Sequence, residues 1–181
     1  MRILLTGAFG SIGNYVLRAL LRAGHTVTAF DIANKKNRKT DRRFHTKLSY
    51  RTVWGNLTKY EDVYYAVAGS EIVIHLGAVI PPAADKYPVA SQQVNGGGTE
   101  KTIRALKKLN SNIKLIYSSS IAVYGDRLTN PDIRLHDIPH PNPDDTYAIQ
   151  KLEAEKIVKS AGIDYVILRF TYIVSPDSLV M

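Results

Sequence analysis

The chain has 181 residues, of which 45% are hydrophobic and 22% are charged. This length and composition are typical of one globular domain with a sizeable core, and they exclude a disordered, collagen-like or coiled-coil protein. The chain contains no cysteine, which excludes a disulfide framework, a thiol nucleophile and a cysteine-ligated metal. No apolar run approaches the roughly 20 residues needed to span a bilayer. We therefore expect a soluble, cytoplasmic protein with no membrane contact.

The formal net charge of +8 is concentrated in residues 35–51, where eight lysines and arginines face one acid, Asp41. The rest of the chain is close to neutral. We expect a solvated loop in this segment. An anion site for a cofactor or substrate phosphate is a second interpretation. Nucleic-acid contact is the weakest, because aromatic residues are too sparse there to stack on bases, and we expect no nucleic-acid partner.

Short apolar segments alternate with longer stretches of helical spacing along the whole chain. The alternation predicts an α/β fold: a Rossmann-type doubly wound parallel sheet with helices on both faces, formed by residues 1–181 as one domain. Ligands bind such sheets beyond the carboxyl ends of the strands. Strands are predicted at 2–6, 26–30, 51–54, 72–75, 114–117 and 165–168, helices at 11–23, 61–68, 89–109 and 144–161, and a long proline-rich loop at 125–143.

The first predicted turn, Thr6-Gly7-Ala8-Phe9-Gly10-Ser11-Ile12-Gly13, follows a strand and opens a helix. Gly7 would permit a tight turn, Gly10 a close approach to a pyrophosphate, and Gly13 close packing of helix on strand. The exposed amides and the helix dipole would attract phosphate. The sequence therefore predicts a dinucleotide site at this turn.

Asp31 ends the second predicted strand, where an acid accepts hydrogen bonds from a ribose 2′-hydroxyl. A carboxylate there would repel the 2′-phosphate of NADP, so NAD is the favoured cofactor. Lys35, Lys36 and Arg38 follow closely and leave NADP open, because they could turn back to bind a phosphate.

Tyr147 and Lys151 lie four residues apart on a predicted helix, so their side chains share one face. A lysine ammonium and a positive nicotinamide ring would favour the phenolate, so we expect a lowered pKa for Tyr147. Ser120 is expected just past the fifth strand, where it could hydrogen-bond a reacting hydroxyl. Ser118 and Ser119 are interpreted as strand-end residues. A register error of one residue would make Ser119 the reactive serine.

Further motifs follow in order: Gly55-Asn56-Leu57-Thr58, His75-Leu76-Gly77-Ala78, Val94-Asn95-Gly96-Gly97-Gly98-Thr99, Ser118 to Gly125, and Tyr147-Ala148-Ile149-Gln150-Lys151. With the glycine turn and Asp31, they make the chain similar to the extended short-chain dehydrogenase/reductases, specifically the NAD-dependent epimerase/dehydratase group. The resemblance implies a catalytic set of Ser120, Tyr147 and Lys151. It implies a cofactor-binding set of Gly7, Phe9, Gly10, Ser11, Ile12, Gly13, Asp31, Asn56, Leu57, Leu76, Gly77, Ala78, Asn95, Ser118, Tyr147 and Lys151.

The resemblance also implies an NAD-dependent epimerase or oxidoreductase that acts on a hydroxyl-bearing substrate. That substrate would be a nucleotide sugar, a UDP- or dTDP-hexose, with Tyr147 as base during transient hydride transfer. Ile121 and Ala122 stand where dehydratases carry an acidic pair, which disfavours dehydration. The C-terminal substrate lobe of the family is missing, so we expect either a truncated chain or a minimal protein.

Two alternative functions stay open. The chain could be a non-catalytic NAD(H)-binding regulatory or assembly module, or a carbonyl reductase of the same family. A homodimer could form through the helices at 89–109 and 144–161. The histidines and acids show no ligand spacing, so no metal site is expected.

Overall fold

The computed structural model, which describes residues 1–109, 112–128 and 131–173, is built on a six-stranded sheet. All strand pairs are parallel and the strand order is β3-β2-β1-β4-β5-β6. The strands are β1 (Arg2–Thr6), β2 (Thr26–Asp31), β3 (Arg51–Trp54), β4 (Ile72–His75), β5 (Lys114–Ser120) and β6 (Tyr165–Phe170). The helices are α1 (Gly13–Arg22), α2 (Lys35–His45), α3 (Tyr60–Val67), α4 (Ala83–Lys86), α5 (Pro88–Lys108) and α6 (Thr146–Lys159).

Helices cover both faces of the sheet, as predicted. Successive side chains of a strand point to opposite faces, and Leu4 and Leu5 of β1 accordingly belong to two different cores. Leu4 lies in a cluster with residues of α3, α5 and α6. Leu5 lies in a cluster with Leu17 of α1 and Phe44 of α2. The doubly wound α/β prediction is confirmed.

The strand order reverses between β1 and β4, and this places the ends of the two strands side by side. Thr6 pairs in register with His75 on one side and with Phe30 on the other. The carboxyl ends of β1, β2 and β4 therefore meet at one edge. A crevice at that reversal is where doubly wound sheets bind ligands.

The prediction of a solvated loop at 35–51 is wrong for most of the segment, since residues 35–45 form α2. Asn34 caps this helix by accepting a hydrogen bond from the Asn37 amide at 2.7 Å, and Asn37 and Phe44 supply its buried face. Because Phe44 is the only apolar side chain in the helix, the sequence carries no hydrophobic periodicity there. The Asn34 cap and the buried ring of Phe44 stabilise α2 instead.

Two other boundaries differ from expectation. β5 continues to Ser120, because residues 118–120 pair with Leu168, Arg169 and Phe170 of β6. Ser120 therefore ends the strand instead of following it. Helix α1 begins at Gly13, so Ser11 and Ile12 belong to the turn. Within the predicted loop 125–143, the described residues 125–128 and 131–143 hold no helix or strand, and 129–130 lie outside the described residues.

The contact of Gly13 with the glycine turn is open to a stability test. A β-carbon at Gly13 would lie 2.0 Å from the Gly7 carbonyl oxygen and 2.9 Å from Ala8, so Gly13→Ala must push α1 away from β1. We expect a loss of about 3 kcal/mol of unfolding free energy by urea titration. Gly24→Ala is the matched control, because Gly24 has a φ of +79° but open space around it; that strain should cost about 1 kcal/mol. Equal losses would contradict the close-contact account.

Candidate active site

The glycine turn between β1 and α1 leaves no room for a β-carbon at Gly7 or Gly13. Gly7 has a φ of +66°, and a β-carbon there would lie 2.9 Å from the backbone of Gly77, in the segment after β4. Gly13 meets the Gly7 carbonyl oxygen, as described above. The turn therefore lies flat between helix α1 and the end of β4. It forms a shallow cradle of backbone at the switch in strand order.

The amino terminus of α1 opens into this cradle. Ile12 precedes the helix without a side-chain capping bond, and the first turn holds no acid. The Asn14 amide instead donates to the carbonyl oxygens of Gly10 (2.9 Å) and Ser11 (3.0 Å). Amides at a helix start with the positive end of its dipole suit a diphosphate. The backbone cradle is thus able to take a pyrophosphate, and the residues that the sequence predicts to hold the NAD pyrophosphate, Gly7, Phe9, Gly10, Ser11, Ile12 and Gly13, form or border it.

Asp31 links the second strand to the glycine turn. Its carboxylate accepts hydrogen bonds from the amides of Phe9 (2.9 Å) and Ile32 (2.8 Å) and from the side chain of Asn37 (3.0 Å). Burial raises the pKa of Asp31, and the two amide hydrogen bonds oppose that shift. A carboxylate offers about four lone-pair sites. One site is left to accept a hydrogen bond from a ribose hydroxyl.

Phe9 also brings the glycine turn against the end of β3. Its ring centroid lies 5.3 Å from that of Trp54. The guanidinium of Arg38 lies 5.2 Å from the centroid of the Trp54 ring, while Lys35 and Lys36 are exposed. The basic start of α2 therefore stands beside Asp31, and Arg38 is held on an aromatic ring.

The other residues of the expected cofactor set surround the segment after β4. Leu57 packs between two glycines, since β-carbons at Gly77 and Gly98 would lie 2.7 and 2.9 Å from its side chain. The Asn95 amide binds both backbone groups of Val79, at 2.8 and 2.9 Å, and donates to Gln150 at 2.7 Å. Asn95 therefore shapes the segment that contains Leu76, Gly77 and Ala78. Asn56 accepts a hydrogen bond from the Thr58 amide and fixes the turn after β3.

Lys151 is fully buried at the end of β5. Its ammonium donates to the Ser118 carbonyl oxygen at 2.7 Å and lies 4.9 Å from the Tyr117 ring and 5.7 Å from the Tyr147 ring. Burial lowers the pKa of Lys151 to about 7, against an opposing attraction from Glu155. Lys151 and Tyr147 thus share one face of α6, as the sequence predicts.

In the protein without cofactor, the pKa of Tyr147 is raised, so Lys151 alone does not produce the lowered pKa that the sequence predicts for Lys151 and a nicotinamide ring together. Burial, with the negative charge of Asp145, raises the pKa of Tyr147 to about 12. The ammonium expected to oppose this shift lies on the Ser118 carbonyl and is itself close to losing its proton near neutral pH. Desolvation of the phenol therefore outweighs the attraction of a nearby cation.

The three serines at the end of β5 have different partners. Ser118 donates to the His75 carbonyl oxygen at 3.0 Å, and Ser119 donates to Glu155 at 2.6 Å. Ser120 is the least buried of the three, and its oxygen accepts a hydrogen bond from the Ala122 amide. The hydroxyls of Ser118 and Ser119 are engaged in holding the fold. Ser120 is therefore the serine best placed to meet a ligand.

Sequence reasoning missed the buried ion pair behind these serines. Glu155 is fully buried, and its carboxylate accepts from Arg169 at 2.6 and 2.8 Å, from Ser119 and from Lys159. Burial raises the pKa of Glu155, but these hydrogen bonds outweigh it and the pKa lies below its ordinary value. Arg169 also donates to the Tyr124 hydroxyl. The sequence signal that could have revealed Glu155 is the four-residue spacing of Tyr147, Lys151 and Glu155, which places all three on one helix face.

His75, interpreted from sequence as a strand-end residue, is buried between two threonines. Its ring nitrogens lie 2.8 Å from the Thr6 hydroxyl and 3.3 Å from that of Thr99. Burial lowers the pKa of His75 to about 3, so the ring is neutral. It joins β1, β4 and α5 directly beneath the crevice.

The described part of the chain contains neither a membrane-spanning helix nor a cluster of metal ligands. None of its helices is long and apolar enough to cross a membrane. Nor do those residues bring together three or more histidine, aspartate or glutamate side chains able to hold a metal ion.

A sequence model of the NAD dependent epimerase/dehydratase family matches residues 3–179. The chain is 32% identical over 164 residues to the 3-beta-hydroxysteroid dehydrogenase of Mycolicibacterium neoaurum, covering 87% of this chain and 42% of that protein. It is 28% identical over 130 residues to the CDP-paratose 2-epimerase of Salmonella typhi, covering 70% and 38%. A short-chain dehydrogenase/reductase superfamily protein of Agrobacterium tumefaciens with bound NAD superposes with a TM-score of 0.75 at 28% identity, covering 94% and 49%. The chain spans less than half of each of these proteins.

The burial of Lys151 predicts a specific dependence of stability on pH. Between about pH 7 and its ordinary pKa of 10.5, this residue is protonated in the unfolded chain and neutral in the folded one. Unfolding then takes up a proton, so stability should rise with pH by up to about 1.4 kcal/mol per unit in that window. Lys151→Met should remove this slope in urea unfolding measured from pH 7 to 9.5. Lys156→Met, an exposed lysine of the same helix, should keep it. Identical slopes in all three proteins would mean that Lys151 stays charged after folding.

Proposed function

The chain belongs to the NAD dependent epimerase/dehydratase family, and from that premise we propose that it binds NAD and oxidises a secondary hydroxyl of a nucleotide sugar. In an epimerase the oxidation is transient. The substrate class proposed is a UDP- or dTDP-hexose. The observation that carries the proposal is the placement of Lys151 and Tyr147 on one face of α6, beside the serines that end β5.

The cofactor half of the proposal is supported by the glycine cradle. The backbone at Gly7 and Gly13 is too crowded for a β-carbon, and the uncapped start of α1 suits a diphosphate. The remaining acceptor site of Asp31 suits the adenosine ribose. Gly77, Ala78 and the end of β5 at Ser118, where Lys151 lies, would then hold the nicotinamide end.

The proposed chemistry assigns one task to each residue. Ser120 hydrogen-bonds the substrate hydroxyl, and Tyr147 removes its proton. Lys151 stays fixed on the Ser118 carbonyl, from where its positive charge stabilises the phenolate. Bound NAD would accept a hydride from the carbon that carries the hydroxyl. Because the pKa of Tyr147 is about 12 in the protein alone, the positive charge of the oxidised cofactor would be needed to lower it.

A second candidate function is a dehydrogenase that releases the ketone. The observation that favours it is the 32% identity to a 3-beta-hydroxysteroid dehydrogenase. Both candidates share the proton and hydride steps and differ in whether the ketone is reduced again. Pairing of two chains through residues 89–109 and 144–161 stays a prediction, which sedimentation would test.

The environment of Asp31 predicts discrimination between cofactors. Isothermal titration of the chain should give a dissociation constant for NAD at least about tenfold below that for NADP, because the carboxylate repels a 2′-phosphate. Asp31→Asn should bring the dissociation constants for NAD and NADP closer together, because it removes the negative charge of the carboxylate. Lys36→Gln should change the ratio less than twofold if this exposed lysine does not turn toward the ribose. Tighter binding of NADP by the unaltered chain would overturn the assignment.

The catalytic roles predict a graded set of activity losses. The chain would be incubated with NAD⁺ and UDP- or dTDP-hexoses, with reduced cofactor followed by absorbance and epimers by proton NMR. Tyr147→Phe should lower the rate at least about 100-fold, since it removes the proton acceptor. Its NAD affinity should fall far less than its rate, because Tyr147 is one of many residues in the expected cofactor-binding set.

Ser120→Ala should reduce the rate more than Ser118→Ala, because the Ser118 hydroxyl is bonded to the His75 carbonyl. A larger loss for Ser119→Ala would place the reactive serine one residue earlier. NAD binding without turnover of any hydroxylated substrate would contradict the enzyme proposal and favour a binding module.

A further inference from the structure

A basic cleft between α1 and α2, separate from the cofactor crevice, has no role in the proposed reaction. It has a volume of about 610 Å³. We propose that this cleft binds a small, multiply phosphorylated anion. Four cations line it: Arg18, Arg22, Arg43 and Lys47.

The charge of the cleft is not neutralised by neighbouring acids. In the described ranges none of its four cations forms an ion pair with a carboxylate, and no acid lines the cleft. Asp41 is the one acid among residues 35–51, and its side chain is only 14% exposed. It accepts hydrogen bonds from Tyr50 and Thr52 on the sheet side of α2. The like charges around the cleft therefore repel each other until an anion enters.

Two aromatic rings and two hydrogen bonds hold the side chain of Arg18 in place. Its guanidinium lies 4.5 Å from the Tyr15 ring and 5.7 Å from the Phe44 ring. Its Nε and Nη2 atoms donate to the backbone and side-chain oxygens of Asn14, at 3.1 and 3.2 Å. A planar guanidinium fixed on aromatic rings loses little freedom when it binds a phosphate. The guanidinium of Arg43 lies 5.3 Å from the centroid of the same Phe44 ring.

The shape and chemistry of the cleft favour a small ligand over a nucleic acid. Its volume lies within the range of small-molecule pockets, roughly 300–1,000 Å³. Phe44 is buried and a guanidinium already lies over Tyr15, so the cleft offers little open aromatic surface for bases to stack on. Four cations in one concavity match several phosphate groups on one molecule.

The cleft also has a physical link to the cofactor turn. Asn14, which holds Arg18, donates its amide hydrogens to the carbonyl oxygens of Gly10 and Ser11. An anion that draws Arg18 toward itself would therefore act on the side chain that braces the glycine turn.

The test uses inorganic tripolyphosphate as the probe, titrated calorimetrically into the whole chain at low ionic strength with NAD present at saturation. The cleft variant is Arg22→Ala with Lys47→Ala, two exposed residues. Its affinity should fall at least about tenfold, since each charge-assisted contact contributes substantially. The matched control is Lys35→Ala with Lys36→Ala, which removes two exposed charges of α2 outside the cleft. The control should lose less than about threefold, as expected of screened long-range charge.

A second variant tests the geometry of Arg18 while its charge is kept. Arg18→Lys should weaken tripolyphosphate binding at least about fivefold, because an ammonium cannot reproduce a planar guanidinium that stacks on aromatic rings and presents several fixed donors. Circular dichroism and the urea midpoint would confirm that each variant folds. Equal losses in the cleft and control variants would overturn the site and leave diffuse surface charge. Tripolyphosphate that binds only when NAD is left out, or tighter binding of a DNA duplex that tripolyphosphate fails to displace, would also overturn it.

Discussion

A buried ammonium bonded to a strand-end carbonyl is the interaction on which the site depends. Lys151 donates to the Ser118 carbonyl oxygen at 2.7 Å while almost wholly removed from water. Desolvating a charge is costly unless partners compensate, and here the carbonyl, the Tyr117 ring and the nearby Glu155 offset only part of that cost, so burial still lowers the pKa of Lys151 to about 7. Because this bond fixes one turn of α6 against the end of β5, it also fixes Tyr147, one turn earlier. The position of the proposed base follows from the position of its neighbour.

The same helix face carries the support of the site one turn further on. The Glu155 carboxylate accepts hydrogen bonds from Ser119 of β5 and from Arg169 of β6, and Arg169 also donates to the Tyr124 hydroxyl. Removing one partner from such a buried pair leaves an uncompensated charge, which typically costs about 3–5 kcal/mol. The Glu155–Arg169 ion pair and Lys151 thus both hold the serine segment at the end of β5. A rigid end of β5 is what a positioned serine hydroxyl requires.

The sheet was predictable from sequence because its strands are continuous apolar runs separated by helical stretches. The glycine turn and Asp31 were likewise found where the structure has them, since tight backbone contacts leave glycine as their signature. α2 was not found, because only Phe44 marks its inner face and a cap at Asn34 does the rest. The last three residues of β5 were missed because serine is a weak strand signal and their pairing with β6 is a long-range effect. The raised pKa of Tyr147 and the Glu155 pair depend on burial, which spacing alone cannot reveal.

The chain has a single tryptophan, and it lies at the cofactor crevice. Trp54 packs against Phe9, whose amide is bonded to Asp31, and carries the guanidinium of Arg38 at 5.2 Å. Any rearrangement of the glycine turn must therefore change the surroundings of that one indole. The protein has in consequence a built-in fluorophore, whose emission reports on occupancy of the crevice without a label.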